Sequence, residues 1–84
     1  LLIDDGSQDQ TAAIAAEYVA RWPGQIRSWR HAEPQGLRAC ANRALLEARG
    51  EYLMRVDADD WLDPSALLVL VDYLDRHRDA GLVY

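Results

Sequence analysis

Short apolar runs alternate with helix-periodic segments along this 84-residue chain, and that alternation restricts the fold more than any other feature. In three segments apolar residues recur every three or four positions, which predicts amphipathic helices. The apolar runs between them are three to five residues long, which is typical of strands. Strands that alternate with helices favour a parallel sheet, because parallel neighbours need a crossover connection. We therefore predict an α/β fold with a parallel sheet.

The predicted strands cover residues 1–3, 26–30, 52–56 and 82–84, and the predicted helices cover about 10–22, 37–49 and 63–78. The first helix has two candidate starts: Ser7 and Gln10 have the spacing of a capping box, and Asp9 could be the N-cap. For the third helix, Asp63 is the predicted N-cap and Pro64 the first helical residue.

Side chains on the helices and strands also carry predictions about burial. In the first helix Ile14, Tyr18 and Trp22 repeat at four-residue spacing, and Ala15 and Val19 widen this apolar stripe, which is predicted to face the sheet. Cys40 lies on the apolar face of the second helix and is predicted to be a core residue. His31 ends a strand without a visible partner and is predicted to lie on the surface, and the tryptophans are predicted to be packing residues.

Acidic charge lies in two clusters on a chain whose formal net charge is −5 and whose nine basic residues are all arginine. The clusters follow the first and third predicted strands and consist of Asp4, Asp5 and Asp9, and of Asp57, Asp59, Asp60 and Asp63. This charge disfavours nucleic acid and anionic membranes as partners. Ligands of open parallel sheets bind where strands end at their carboxyl side, so we expect both clusters to face one crevice.

Other bulk features limit the class of protein further. One cysteine excludes an internal disulfide and favours a reducing compartment, and no apolar run approaches the roughly 20 residues of a membrane span. The length allows one domain at most. Because the chain begins and ends inside apolar runs, we interpret residues 1–84 as a fragment of a single domain cut in or near strands.

Asp57 and Asp59 place two carboxylates where the chain leaves a strand, and Asp5 places another after the first strand. Carboxylate oxygens suit Mg²⁺ or Mn²⁺, which completes its shell with water and phosphate oxygens. A solvated turn is the alternative for the Asp57 segment. Asp5 could make a local Asx turn, or accept hydrogen bonds from a nucleobase N–H or a ribose hydroxyl.

Four ordered motifs span nearly the whole chain: residues 4–11 (DDGSQDQT), 36–42 (GLRACAN), 48–53 (ARGEYL) and 57–64 (DADDWLDP). Each is weak alone, but in this order and at these spacings they resemble the family 2 glycosyltransferases. The resemblance implies the Rossmann-like GT-A sandwich, with the family's first strand and its C-terminal half absent from these residues. We therefore expect the fragment neither to fold stably nor to be active alone.

The resemblance also implies a role for individual residues. Asp5 would contact the base of a nucleotide-sugar, most often uracil; Asp57 would lie near the ribose and the metal; and Asp59 would bind Mn²⁺ or Mg²⁺. Arg38 could meet a phosphate or be a surface residue of the second helix. The donor would be a UDP-sugar and the acceptor a saccharide, a lipid-linked molecule or a protein. No catalytic base can be assigned from these residues.

The implied setting is bacterial cell-wall or polysaccharide synthesis, in the cytoplasm or at the inner face of the membrane. Three alternatives remain open at this point. A phosphoacceptor receiver domain would need a lysine, which the chain lacks. A haloacid-dehalogenase-like phosphatase would use Asp57 as nucleophile and Asp59 as acid, but would favour Gly-Thr where Asp60-Trp61 stands. A non-catalytic nucleotide-binding module is the third alternative.

Overall fold

The computed structural model describes residues 1–84. The chain divides into two units, residues 1–50 and 51–84, which contain five helices and strands in all. The first unit contains strand β1 (Leu2–Asp4), helix α1 (Thr11–Arg21), strand β2 (Ser28–Arg30) and helix α2 (Leu37–Glu47). The second unit contains helix α3 (Ala66–Arg76).

β1 and β2 pair in parallel, and α1 is the crossover between them. The register pairs Leu2 with Ser28, Ile3 with Trp29 and Asp4 with Arg30. At the far end of the pair, the backbone N–H of His31 donates to the carbonyl of Asp4 at 2.9 Å. This β-α-β unit confirms the prediction of a parallel α/β fold, and its register places the residues after β1 beside those after β2.

Residues 52–56 and 82–84 do not form strands, so two of the four predicted strands are wrong. Their apolar composition was the basis of the prediction, but a strand also needs a neighbour that accepts and donates its backbone hydrogen bonds. The segment 52–56 has no such ladder in the second unit, and the side chains of Leu53, Met54 and Val56 remain largely exposed.

The predicted starts of the helices differ from the observed ones. α1 begins after Gln10, whose side chain makes no capping hydrogen bond, so the capping box of Ser7 and Gln10 does not form. Asp9 lies one residue before the N-cap, and its carboxylate accepts the backbone N–H of Thr11 at 2.9 Å. This carboxylate therefore satisfies one of the free N–H groups of the first turn, although Asp9 is not the N-cap.

The N-cap of α3 lies two residues later in the chain than predicted. Asp63 accepts the backbone N–H of Ser65 at 2.8 Å, and its carbonyl accepts the N–H of Ala66 at 3.0 Å. These bonds close a turn over Asp63–Ala66, so that Ser65 becomes the N-cap of α3. Local side-chain to backbone bonds of this kind compete with the first turn of a helix.

The inward face of α1 matches part of the predicted stripe. Ile14 and Tyr18 are 49% and 47% exposed, whereas Ala15, Val19 and Trp22 are half-buried. Three of the five residues of the predicted stripe therefore lie on the inward face, and the other two lie at its exposed margin. No apolar side chain of the chain is fully buried, and the only buried side chain is that of Asp4.

Gly6 stands in the tight turn after β1, and we expect alanine there to destabilise the protein. Its φ is +79°, and a Cβ would lie 3.0 Å from the backbone of Glu33 and from Pro34. The left-handed conformation costs about 1–2 kcal/mol for a residue with a Cβ. The backbone of residues 33–34 must also shift, so Gly6→Ala should lower the free energy of unfolding by at least about 2 kcal/mol. Urea denaturation of the full-length protein measures this loss.

Gly24 provides a matched control for Gly6. It has nearly the same φ, +83°, but nothing lies within 4 Å of its Cβ position. Gly24→Ala should therefore cost only the conformational part, about 1 kcal/mol. Equal losses at the two glycines would contradict the close approach of the 33–34 backbone to Gly6.

Candidate functional site

The aspartate pair at the end of β1 points in two directions. The Asp4 side chain is only 6% exposed, and its Oδ1 accepts the backbone N–H of Ser7 at 2.9 Å. Arg30 lies with Nε 3.1 Å from Asp4 Oδ2 and donates through another nitrogen to the Ser7 carbonyl at 2.8 Å. Hydrogen bonding from Ser7, and secondly the charge of Arg30, lowers the pKa of Asp4. The Asp4 side chain therefore holds the turn that follows β1, and of the pair only Asp5 lies past the end of the strand.

Asp5 holds the loop between β2 and α2. Its Oδ1 accepts the backbone N–H of Gln35 and lies 2.8 Å from His31 Nδ1, and its Oδ2 accepts the backbone N–H of Gly36, each at 2.8 Å. The bond from Gln35, followed by that from His31, lowers the pKa of Asp5 to about 2. A carboxylate held by three donors is fixed in orientation, and it shapes the start of α2.

His31 is not the unpartnered surface residue that the sequence predicted. Its side chain is 14% exposed and is paired with Asp5. The cause is the register of the sheet: because Asp4 lies opposite Arg30, the next residue of each strand, Asp5 and His31, meet past the strand ends. Parallel pairing of the two strands was predicted, but without the register the pattern could not identify this contact.

Cys40 is half-buried in α2, in keeping with the predicted inward face, but it is adjacent to polar groups. Its Sγ lies 4.0 Å from His31 Nδ1. Burial, and secondly the negative charge of Asp5, raises the pKa of the Cys40 thiol. The thiol is therefore protonated at neutral pH in this metal-free arrangement.

An open cleft of about 580 Å³ lies beside this loop, between residues 31–35 and α2. Its lining includes His31, Gln35, Asn42 and Arg43. The Arg43 guanidinium stacks over the Trp29 ring, with its central carbon 3.9 Å from the ring centroid, so Trp29 is a packing residue as predicted. Arg38 is exposed in the first turn of α2, and its role at a phosphate stays a prediction.

In the second unit, Asp57 is paired with an arginine that the sequence reasoning did not single out. Arg55 donates from Nε and from a terminal nitrogen to the two oxygens of Asp57, both at 2.7 Å. This bidentate pair lowers the pKa of Asp57. The signal was present in the sequence, since residues two apart on an extended segment project to the same side.

The rest of the DADD segment forms a solvent-facing turn, in which the Asp60 N–H donates to the Asp57 carbonyl at 3.0 Å. Asp59 is exposed, and Trp61 is 89% exposed, so the prediction that Trp61 packs is wrong. Asp5 and Arg38 belong to the first unit, whereas Asp57 and Asp59 belong to the second. That the two acidic clusters face one crevice stays a prediction.

The donor set of the second unit fits a hard divalent cation. Asp59 offers carboxylate oxygens to solvent, and a carboxylate has about four lone-pair positions, so Asp57 can accept from Arg55 and still coordinate a cation. Oxygen ligands of this type suit Mg²⁺ and Mn²⁺. The fit lies in the chemistry of the ligands, and the role of each residue stays a prediction.

Comparison with known proteins decides the family, because the model of glycosyl transferase family 2 matches residues 1–84, the whole chain. The chain belongs to this family. An uncharacterized protein of Mycobacterium tuberculosis is 39% identical to this family 2 chain over all of it and over 25% of its own length. EpsE of Bacillus subtilis, named as a glycosyltransferase, is 36% identical over 99% of the chain and 30% of its own length. Chondroitin synthase of Escherichia coli is 31% identical over 99% of the chain and 12% of its own length.

These family 2 relatives are much longer than the chain, which spans about a quarter of the first of them. No solved structure gave a significant match to the chain. None of its helices has the length and apolar character that crossing a membrane requires. The family match leaves the receiver and phosphatase interpretations without support.

Proposed function

We propose that the protein containing this chain is a glycosyltransferase that binds a nucleotide-diphosphate sugar through a divalent cation and transfers the sugar to an acceptor. The family match over the whole chain carries this proposal. A UDP-sugar is the donor that the family resemblance favours. The acceptor is a saccharide, a lipid-linked molecule or a protein, and the reaction takes place in the cytoplasm or at the inner face of the membrane.

The first unit contributes the nucleotide-binding part of this proposal. Asp5 lies past the carboxyl end of β1, where ligands of parallel α/β sheets bind, and the backbone N–H groups of Gln35 and Gly36 fix its orientation. A preorganised acceptor costs less ordering when a nucleobase N–H or a ribose hydroxyl approaches. Arg38 lies in the first turn of the adjacent helix and is the basic residue proposed to meet a phosphate.

The second unit contributes the cation-binding part. Asp59 and Asp57 would hold Mn²⁺ or Mg²⁺, which supplies Lewis-acid stabilisation of the charge that develops on the departing diphosphate. Arg55 keeps the Asp57 carboxylate ionised and fixed in orientation. No residue of the chain is proposed as the catalytic base.

Metal-dependent nucleotide binding tests the proposed function. The full-length protein, titrated with UDP in a calorimeter, should bind it in the presence of Mn²⁺ or Mg²⁺. Chelation of the metal should weaken the affinity by at least about a hundredfold, because the cation neutralises the diphosphate beside two carboxylates. Equal binding of UDP with metal and with chelator would contradict the proposal.

A non-catalytic binding module would give the same calorimetric result, so turnover distinguishes it from an enzyme. The enzyme should hydrolyse or transfer the sugar of a UDP-sugar slowly and release UDP under the same metal conditions. A protein that binds UDP with metal but releases none from any UDP-sugar would be the binding module.

A further inference from the structure

Three different metal-ligating side chains meet in the first unit. The ligand atoms of Asp5, His31 and Cys40 all lie within 4.8 Å of one another. The three residues follow β1, follow β2 and lie in α2, so the fold and not a local motif brings them together. Asp5 also has a role in the proposed nucleotide binding, whereas the proposed glycosyl transfer uses neither His31 nor Cys40.

The carboxylate of this cluster is already held as a metal ligand would be. Backbone N–H groups of Gln35 and Gly36 donate to Asp5, and carboxylates that bind metals are commonly fixed by such outer hydrogen bonds. The side chains of His31 and Asp5 are 14% and 29% exposed, so the cluster is largely shielded from bulk water and still accessible to it.

We propose that Asp5, His31 and Cys40 form a Zn²⁺ site with an open fourth position. A thiolate, an imidazole and a carboxylate together select zinc over the harder Mg²⁺ and Mn²⁺. Tetrahedral bonds to zinc imply about 3.3 Å between the carboxylate oxygen and the imidazole nitrogen, and about 3.6 Å between that nitrogen and the sulfur. The observed separations are 2.8 Å and 4.0 Å. Side-chain shifts of about half an ångström therefore bring these atoms to the spacing that tetrahedral zinc requires.

Binding of Zn²⁺ displaces protons from the ligand atoms of the cluster. Zn²⁺ replaces the S–H proton of Cys40, which leaves to solvent as the Zn–S bond forms. His31 binds through Nδ1, so the proton that Nδ1 donates to Asp5 without the metal is lost to solvent while Nε2 takes one up, and Asp5 binds as the carboxylate. The Asp5 carboxylate and the Cys40 thiolate each carry one negative charge, and together they neutralise the two positive charges of Zn²⁺.

Cobalt is the probe, since Co²⁺ occupies zinc sites and absorbs in the near ultraviolet when a thiolate binds it. The full-length protein without nucleotide should gain this charge-transfer band at one equivalent of Co²⁺, and Zn²⁺ should remove it. Cys40→Ser should abolish the band. His31→Gln should weaken Co²⁺ binding by more than the roughly 10–100-fold typical of losing an outer-shell partner.

Asp59→Ala is the control variant and should keep the band, because Asp59 is not part of the cluster. A missing band, or one that survives in Cys40→Ser, would overturn the site. Since a variant could fail to fold, alkylation of the unmodified protein gives a second measurement: Zn²⁺ should protect Cys40 from iodoacetamide, and unchanged labelling would also overturn it. Neither measurement involves UDP, so failure of UDP binding leaves this result unaffected.

Discussion

Asp59→Ala is expected to remove metal-dependent UDP binding from the full-length protein. Asp59 is an exposed carboxylate in the turn after residue 57, and it is the proposed ligand whose oxygens are not shared with an arginine. A bound cation contributes several kcal/mol to stabilising phosphate charge, so its loss should weaken affinity by about a hundredfold or more. Calorimetry with UDP and Mn²⁺ measures the change.

Asp79→Ala is the matched control for this experiment. Asp79 is also an exposed aspartate of the second unit, and its replacement changes the net charge by the same amount. It should bind UDP as the unmodified protein does. Similar affinity losses in both variants would show that overall charge, and not a ligand at Asp59, controls binding, and would contradict the assignment.

Asp5→Asn is expected to have the second largest effect, because it acts on the loop and on the nucleotide together. An amide retains the shape but loses the charge, and because Gln35 and Gly36 donate to different oxygens, the NH₂ group leaves one of these two N–H bonds without an acceptor. We expect UDP affinity to fall by about tenfold to a hundredfold, in line with the loss of charged hydrogen bonds. Thermal stability should fall as well.

The pH dependence distinguishes this role of Asp5 from a general effect. Its folded pKa of about 2 lies below the ordinary value of 3.8, so its stabilising contribution is complete above the ordinary value and is lost as the pH falls through about 2. Thermal melts should therefore show the unmodified protein losing more stability than Asp5→Asn between about pH 5 and pH 2. Parallel curves for the two proteins would contradict a stabilising role for the hydrogen bonds that the Asp5 carboxylate accepts.

Asp9→Asn is the control for Asp5→Asn. Asp9 lies in the same acidic cluster, but its carboxylate accepts only the local N–H of Thr11, which an asparagine oxygen can also accept. UDP affinity should therefore remain within about twofold, because asparagine and aspartate are nearly equivalent at such positions.

The sequence predicted the elements of the first unit because its periodicities are strong and mutually consistent. β1, α1, β2 and α2 were all found within a few residues of their predicted bounds. The segment 52–56 was predicted with the same reasoning and failed, since apolar composition reports what a strand contains and not whether a neighbour pairs with it. The stripe of α1 was predicted in part: Ala15 lies on the inward face as predicted, but Ile14 is apolar and exposed, because periodicity does not give the exact rotation of a helix.

The residues of the candidate site were also predicted only in part. Sequence motifs identified Asp5, Asp57 and Asp59, whose roles stay predictions, but they could not give the partners that hold the first two. His31 reaches Asp5 through a contact 26 residues apart in sequence. Arg55 was within reach of a local rule, and a search for charges two residues apart on extended segments would have found it.

The register of β1 against β2 has a consequence for how the chain tolerates insertions and deletions. Because backbone pairing past the strand ends places Asp5 beside His31, the length of α1 and its flanking loops is free to vary while that pairing is kept. A single-residue insertion inside β2 is different, because it would set a neighbour of the histidine against Asp5. Length variation should therefore be accepted between residues 10 and 27 and rejected between residues 28 and 31.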